Sequence, residues 1–228
     1  MNGFLMLVMF LLSFGFILLA YKIWGKMGLY MWIVITTIVA NIQTVKTIDI
    51  FGVPVVLAVV LYSSSFLATD ILSENYGKKS AEKAVYIGFF AMITMTLLMN
   101  LSIYFIPSAE DFGHESIVSI FGFMPRIVLG SFAGYFVSQL HDVNAYEFWR
   151  KKLPEDKYLW VRNNFSTMVS QFIDTLIFTI IVYVGVFEFD YIIKLVFSQY
   201  IMKVLIAAAD TPFLYIAKKM YKKNSLGE

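Results

Sequence analysis

Residues 162–187 read Arg162-Asn-Asn-Phe-Ser-Thr-Met-Val-Ser-Gln-Phe-Ile-Asp174-Thr-Leu-Ile-Phe-Thr-Ile-Ile-Val-Tyr-Val-Gly-Val-Phe187. The run is apolar and long enough to cross a bilayer, which takes roughly 20 residues. It nevertheless carries Asn163, Thr167, Ser170 and Asp174 at spacings of four, three and four, which puts the four side chains on one face of a helix. Gln171 and Thr175 lie alongside. A carboxylate deep in a membrane helix is costly unless it faces protein or a water-filled cavity. Two readings of Asp174 are open: it lines a cavity, or it pairs with a basic residue to fix helix packing.

The rest of the chain agrees with a membrane setting. Its 228 residues are 59% hydrophobic and only 15% charged, with a mean hydropathy of +0.73, which is too apolar for a water-soluble globule. Runs of spanning length occur at about 3–21, 29–47, 53–72, 84–106, 117–139, 164–187 and 191–217. The fold class expected is an all-α integral membrane protein, a single domain over residues 1–228 built as a bundle of seven transmembrane helices. The first run, Phe4 to Ala20, has no Lys or Arg before it and no small-residue cleavage site after it, so it reads as a retained helix. Cysteine is absent, which removes disulfides, thiolate metal sites and Cys nucleophiles together.

Fourteen of the eighteen Lys and Arg residues fall in alternate connections: Lys22 and Lys26; Lys78, Lys79 and Lys83; Arg150, Lys151, Lys152, Lys157 and Arg162; Lys218, Lys219, Lys222 and Lys223. The intervening Ser108-Ala-Glu-Asp-Phe-Gly-His-Glu115 has none. The positive-inside rule then puts the N-terminus outside and the C-terminus in the cytoplasm.

Charges inside the runs are the candidate site. Arg126 and Lys203 are basic; Asp70, Glu74, Asp174 and Asp210 are acidic, and Asp142 lies just past the fifth run. Left unpaired, each is expensive, so the expected arrangement pairs Lys203 with Asp174 and Arg126 with another carboxylate. Asp70 and Glu74 have the wrong sign for a helix C-terminus, which calls for a partner such as Arg126, Lys203 or a ligand. On the seventh run Gln199, Lys203, Ala207 and Asp210 share a face, with Pro212 loosening the backbone one turn before the inner end. The fifth run has Gly130 and Gly134 for close helix contact and Ser131, Tyr135, Ser138 and Asp142 on its other side. Asn41 sits well inside the second run, where it lines the same cavity or bonds a neighbouring backbone.

Several of these segments together resemble a known family. Phe66-Leu-Ala-Thr-Asp70, Arg126-Ile-Val-Leu-Gly-Ser-Phe-Ala-Gly-Tyr135 leading to Ser138-Gln-Leu-His-Asp142, Ser166-Thr-Met-Val-Ser-Gln-Phe-Ile-Asp-Thr175 and Lys203-Val-Leu-Ile206 resemble the queuosine precursor transporter family, also called the vitamin uptake transporter family. The resemblance covers about residues 30–220. It implies a six-helix core over 29–220, with residues 1–25 an additional helix, and import of 7-deazaguanine bases such as preQ0 and preQ1, or queuine, through the cell membrane. A deazaguanine offers N–H donors and a carbonyl acceptor, so a buried carboxylate can accept two donors while an amide or cation donates back. Asp174 or Asp70 suits the first role, and Gln171, Asn164 or Lys203 the second. Tyr135 or Phe178 could stack on the base. The full candidate set is Asn41, Asp70, Arg126, Tyr135, Gln139, Asp142, Asn164, Ser170, Gln171, Asp174 and Lys203.

Proton coupling is left open, because a carboxylate beside Lys203 can change protonation as substrate binds. The rival within transport is a substrate-binding membrane subunit for a vitamin-like compound working with an ATPase partner, since the chain has no Gly-xxxx-Gly-Lys-Ser/Thr loop. An intramembrane enzyme fares poorly: the two histidines, His114 and His141, make no His-Glu-xx-His pair, and Asp70 with Asp174 lacks the Gly-Asp context of an aspartyl dyad. No cofactor, metal or nucleic acid is expected, the partners are the base and the bilayer, and homo-oligomerisation is left open.

Overall fold

A computed structural model describes residues 1–50, 52–122, 124–185 and 187–222, so Lys223 lies outside the described residues. The chain is helical apart from a small hairpin. In order it forms α1 (Asn2–Gln43), β1 (Thr47–Ile50), β2 (Val53–Val56), α2 (Val59–Tyr76), α3 (Lys78–Ile103), α4 (His114–Phe121), α5 (Met124–Lys152), a 3-10 turn (Asp156–Tyr158), α6 (Leu159–Tyr183) and α7 (Phe189–Lys222). Among these residues α1, α3, α7 and α6 with the turn before it are long and apolar enough to cross a membrane, and α4 with α5 forms a fifth such unit across a 41° bend. The result is a multi-pass helical membrane protein.

α1 is not one rod. Gly25 takes φ 56° and ψ −136°, a backbone that only glycine adopts without strain. There the chain folds back so sharply that a methyl on Gly28 would lie 2.1 Å from the Ala20 carbonyl oxygen. The Asn2 side chain accordingly reaches the Asp49 carbonyl at 3.0 Å, although residues 2 and 43 would be some 60 Å apart on a straight helix. The halves correspond to the first two apolar runs of the sequence. The N-terminal half is integral to the bundle: Phe14, Ile17 and Tyr21 are fully buried, Phe14 packs on Phe213 of α7, and the Tyr21 hydroxyl accepts from Asn75 of α2 at 2.8 Å.

Several expected boundaries are corrected. The run at 53–72 is not one helix: residues 53–56 are the second strand of an antiparallel hairpin, with Pro54 opposite Asp49, and α2 runs on to Tyr76 before Gly77 separates it from α3. Asp142 is not past a helix end but inside α5, which continues to Lys152. Pro212 sits well inside α7, which continues to Lys222.

The basic clusters meet at one end of the bundle. Lys26 lies 5.3 Å from the Tyr76 ring centre, Lys78 donates to Asn144 at 2.5 Å, Arg150 donates to the Ser73 carbonyl at 2.6 Å, and Lys222 pairs with Asp156. The hairpin lies at the other end, where Ser198 of α7 bonds the Pro54 carbonyl at 3.3 Å. Apolar side chains such as Phe90, Leu97, Phe172 and Phe197 face outward, while serines, threonines and carboxylates are buried among the apolar core. An apolar exterior around a partly polar interior fits a lipid surround.

Candidate functional site

The stripe on α6 faces inward as its spacing requires: Asn163, Thr167, Ser170 and Asp174 are all buried. α5 comes close enough to enclose it because of its glycines. A methyl on Gly130 would lie 2.6 Å from Val182 Cγ2, so Gly130 and Gly134 serve contact between α5 and α6 within the chain. α2 and α7 complete the interior, and their polar residues fall in three layers. Along α2 the layers are marked by Tyr62, Asp70 and Glu74, the first and last roughly 18 Å apart at the helical rise.

The first layer is a cavity toward the hairpin end. Lys203 of α7 pairs with Asp174 Oδ2, and the Tyr62 hydroxyl donates to Asp174 Oδ1 at 2.7 Å. The Lys203 ammonium also lies 5.1 Å from the Tyr62 ring centre, a cation–π distance. The expected pair of Lys203 with Asp174 is therefore formed. It makes one wall of a cavity, partly open to solvent, that Asn41, Tyr135, Phe178 and Gln199 help to line. The Tyr62 and Tyr135 rings meet edge to face at 5.9 Å.

The second layer holds three buried carboxylates. Thr167 donates to Asp70 Oδ2 at 3.3 Å, Asn163 donates to Asp210 Oδ1 at 2.8 Å, and Asp142 is wholly enclosed beside Asp70. Among the described residues no Lys or Arg pairs with any of the three, so their neighbours are hydroxyls, amides and one another. Ser170 accepts or donates toward His141 Nδ1 at 2.9 Å, and Gln139 accepts from Thr69 at 3.3 Å. The Gln171 amide is buried with no hydrogen-bond partner.

The third layer closes the basic end. Glu74 receives Arg162 at 2.9 Å, Lys218, and the Tyr146 hydroxyl at 3.1 Å. Lys218 and Lys222 both pair with Asp156. Arg162 also donates to the Leu153 and Glu155 carbonyls at 2.6 and 3.2 Å, tying α2, α7 and the connection before α6 together. No group of three or more His, Asp or Glu side chains among the described residues is arranged to hold a metal ion.

Of the sequence candidates, then, Asn41, Tyr135, Asp174 and Lys203 line the cavity. Asp70, Gln139, Asp142 and Ser170 lie in the carboxylate layer, and Gln171, next to Ser170 on α6, is buried without lining the cavity. Two candidates are elsewhere. Among the described residues Arg126 meets no carboxylate: it donates to the Ile181 and Val184 carbonyls at 3.1 and 2.5 Å and so satisfies the open carbonyls at the C-terminus of α6. Asn164 spends its amide on the Trp160 carbonyl and the Thr211 hydroxyl at 2.8 and 2.9 Å. Glu74 takes its partners from Arg162 and Lys218 rather than from Arg126 or Lys203.

Tyr62, Thr37 and Gln199 line the cavity without having been singled out as contacts. The signal was present for all three: Tyr62 precedes Asp70 by eight on α2, Thr37 precedes Asn41 by one turn, and Gln199 precedes Lys203 by four on the face read from the sequence.

Known proteins resemble this chain over most of its length. Residues 56–217 match the family model described as "Putative vitamin uptake transporter". The chain is similar to a "Probable queuosine precursor transporter" of Bacillus subtilis (strain 168), with 41% identity over 210 residues and 92% of each chain covered. It is also similar to the "Queuosine precursor transporter" of Escherichia coli (strain K12), with 23% identity over 190 residues and 82% of each covered. No solved structure matches. With the family model spanning most of the chain and the segments around Asp70, Arg126, Asp174 and Lys203 inside the matched region, this protein belongs to the vitamin uptake transporter family.

Proposed function

We propose that this chain imports queuosine precursors, 7-deazaguanine bases, across the cell membrane, with the cavity at Asp174 and Lys203 as the substrate site. One observation carries the reading. A partly open cavity inside a membrane bundle presents a carboxylate, an ammonium and an amide beside two tyrosine rings that touch edge to face. A planar heterocycle with donors on one edge and a carbonyl beside them satisfies that set: Asp174 accepts from the ring N–H and exocyclic amine, Lys203 donates to the carbonyl, and Tyr62 or Tyr135 flanks the ring. Greasy or anionic substrates leave the ion pair unmatched. The names borne by the relatives support the same class.

With seven spans and the basic end in the cytoplasm, the cavity faces outward and the third layer is the inner closure. Substrate enters beside the hairpin and leaves when the closure parts, as alternating access requires. Coupling to a proton is the driving force we favour. Among the described residues three enclosed carboxylates lie in one layer without a cationic partner, so the bundle has a place for a transported proton below the substrate.

The test is uptake of labelled preQ0, preQ1 and queuine by cells lacking their own route, with Asp174→Asn and Lys203→Met alongside. Transport by the wild type and its loss in both variants is expected; absence of uptake for all three bases would sink the substrate class, and equal uptake by both variants would sink the site. Reconstitution of the chain alone in liposomes distinguishes a self-sufficient carrier from a subunit that needs an ATPase. An imposed pH gradient that leaves the uptake rate unchanged would remove proton coupling.

A further inference from the structure

The cavity has a second wall whose chemistry the ion pair does not use. Among the described residues Thr37 Oγ1, Asn41 Oδ1 and the Tyr135 hydroxyl are buried oxygens whose geometry completes no hydrogen bond, and all three residues line this one cavity. Their residues are 6%, 6% and 2% exposed, so bulk water does not satisfy them. They also lie together. Thr37 and Asn41 are one turn apart on the second half of α1, and the Thr37 hydroxyl neighbours that of Tyr135.

Asn41 fixes the polarity of this wall. Its amide nitrogen already donates to the Thr37 carbonyl at 2.7 Å, which leaves Oδ1, a pure acceptor, without a donor. The hydroxyls of Thr37 and Tyr135 can accept as well. At the opposite wall Asp174 is neutralised by Lys203 and bonded by Tyr62. The cavity thus has one end that reads a donor–acceptor edge and another that offers three unsatisfied oxygens in a native interior where such atoms are rare.

We infer that the wall of Thr37, Asn41 and Tyr135 is the specificity element of this transporter, selecting 7-deazaguanines whose C7 substituent ends in N–H donors, an aminomethyl ammonium, over those ending in a nitrile. The inference rests on the deazaguanine reading above. An ammonium carries three N–H donors and no acceptor, so it can serve Asn41 Oδ1 and the adjoining Thr37 and Tyr135 hydroxyls together. A nitrile only accepts: it can accept a hydrogen bond from a hydroxyl, but it leaves Asn41 Oδ1 without a donor. Sites built to hydrogen-bond a substrate group reject the analogue that lacks it far more strongly than apolar pockets reject a change in size.

The experiment measures uptake of labelled 7-aminomethyl- and 7-cyano-7-deazaguanine separately, with the full chain in liposomes or in cells lacking their own route. The wild type is expected to favour the aminomethyl base by at least about 10-fold in apparent affinity. Asn41→Leu, which removes the acceptor, brings the ratio to within about 2-fold of one, and Thr37→Val, which keeps the shape and loses the oxygen, lowers it by about 3-fold or more. Asn41→Asp, which keeps an acceptor, preserves or raises the preference, an outcome that a merely structural role for Asn41 does not give. A wild-type ratio near one, a preference for the nitrile, or an unchanged ratio in Asn41→Leu would overturn the assignment while leaving deazaguanine import standing. Failure of the wild type to take up either base would overturn both.

Discussion

Gly134 of α5 lies flat against the turn of α6 that carries Asp174: a methyl on its Cα would sit 2.9 Å from Asp174 Oδ1 and 3.1 Å from the Asp174 carbonyl oxygen. The carboxylate cannot yield, because Lys203 and Tyr62 hold it from the other side. Gly134→Ala is therefore expected to push the two helices apart or turn the carboxylate from its partners, at a cost of about 1–3 kcal/mol. Thermal unfolding in detergent measures the loss of stability, and uptake should fall with it. A Gly134→Ala protein as stable and active as the wild type would contradict this packing.

The Lys203–Asp174 pair gives a sharper contrast. Removing one partner strands a buried charge, a change typically worth about 3–5 kcal/mol, so Asp174→Asn and Lys203→Met each lower the unfolding midpoint. The double variant has no stranded charge and should regain much of that stability while remaining unable to carry substrate. Unfolding curves of the three proteins read together with uptake separate the structural share of the pair from its role in recognition.

At the basic end the prediction turns on burial. The Arg162 side chain is 1% exposed and that of Lys222 is 60% exposed. Glu74→Gln leaves Arg162 and Lys218 without their shared carboxylate and should destabilise by about 3 kcal/mol or more. Lys222→Ala removes an exposed ion pair and should cost under about 1 kcal/mol, less still at high salt. Unfolding at low and high ionic strength checks both: only the Lys222 pair should respond to salt.

Arg126→Leu uncovers the carbonyls of Ile181 and Val184 at the end of α6. A loss of about 1–2 kcal/mol is expected, with Arg126→Lys intermediate because one ammonium cannot span both acceptors. Apparent substrate affinity in the folded fraction should be unchanged, since Arg126 does not line the cavity. A large shift in affinity would return Arg126 to the substrate site.

Much of this was legible from spacing. The stripe on α6, the small residues of α5 and the pairing of Lys203 with Asp174 follow from a 3.6-residue period and the cost of charge in a membrane. The hairpin at 47–56 was not, because Val53-Pro-Val-Val56 is as apolar as the helix that follows, and hydrophobicity alone does not separate strand from helix in so short a run. The partners of Glu74 were hidden for another reason. Arg162 stands in a basic cluster that reads as solvent-facing, and only the return of the connection over α2 buries it. Tyr62 went unread because a tyrosine within an apolar run looks like any packed aromatic until its hydroxyl is seen on Asp174.

One straight helix, α2, supplies a member of every polar layer: Tyr62 beside the ion pair, Asp70 among the carboxylates and Glu74 in the closing cluster. Helices are stiff along their axis, so α2 works as a connecting rod between the two ends. Whatever displaces Tyr62 also tugs on the grip that Arg162 and Lys218 have on Glu74, and the chain needs no separate messenger to tell its far side that the pocket is filled.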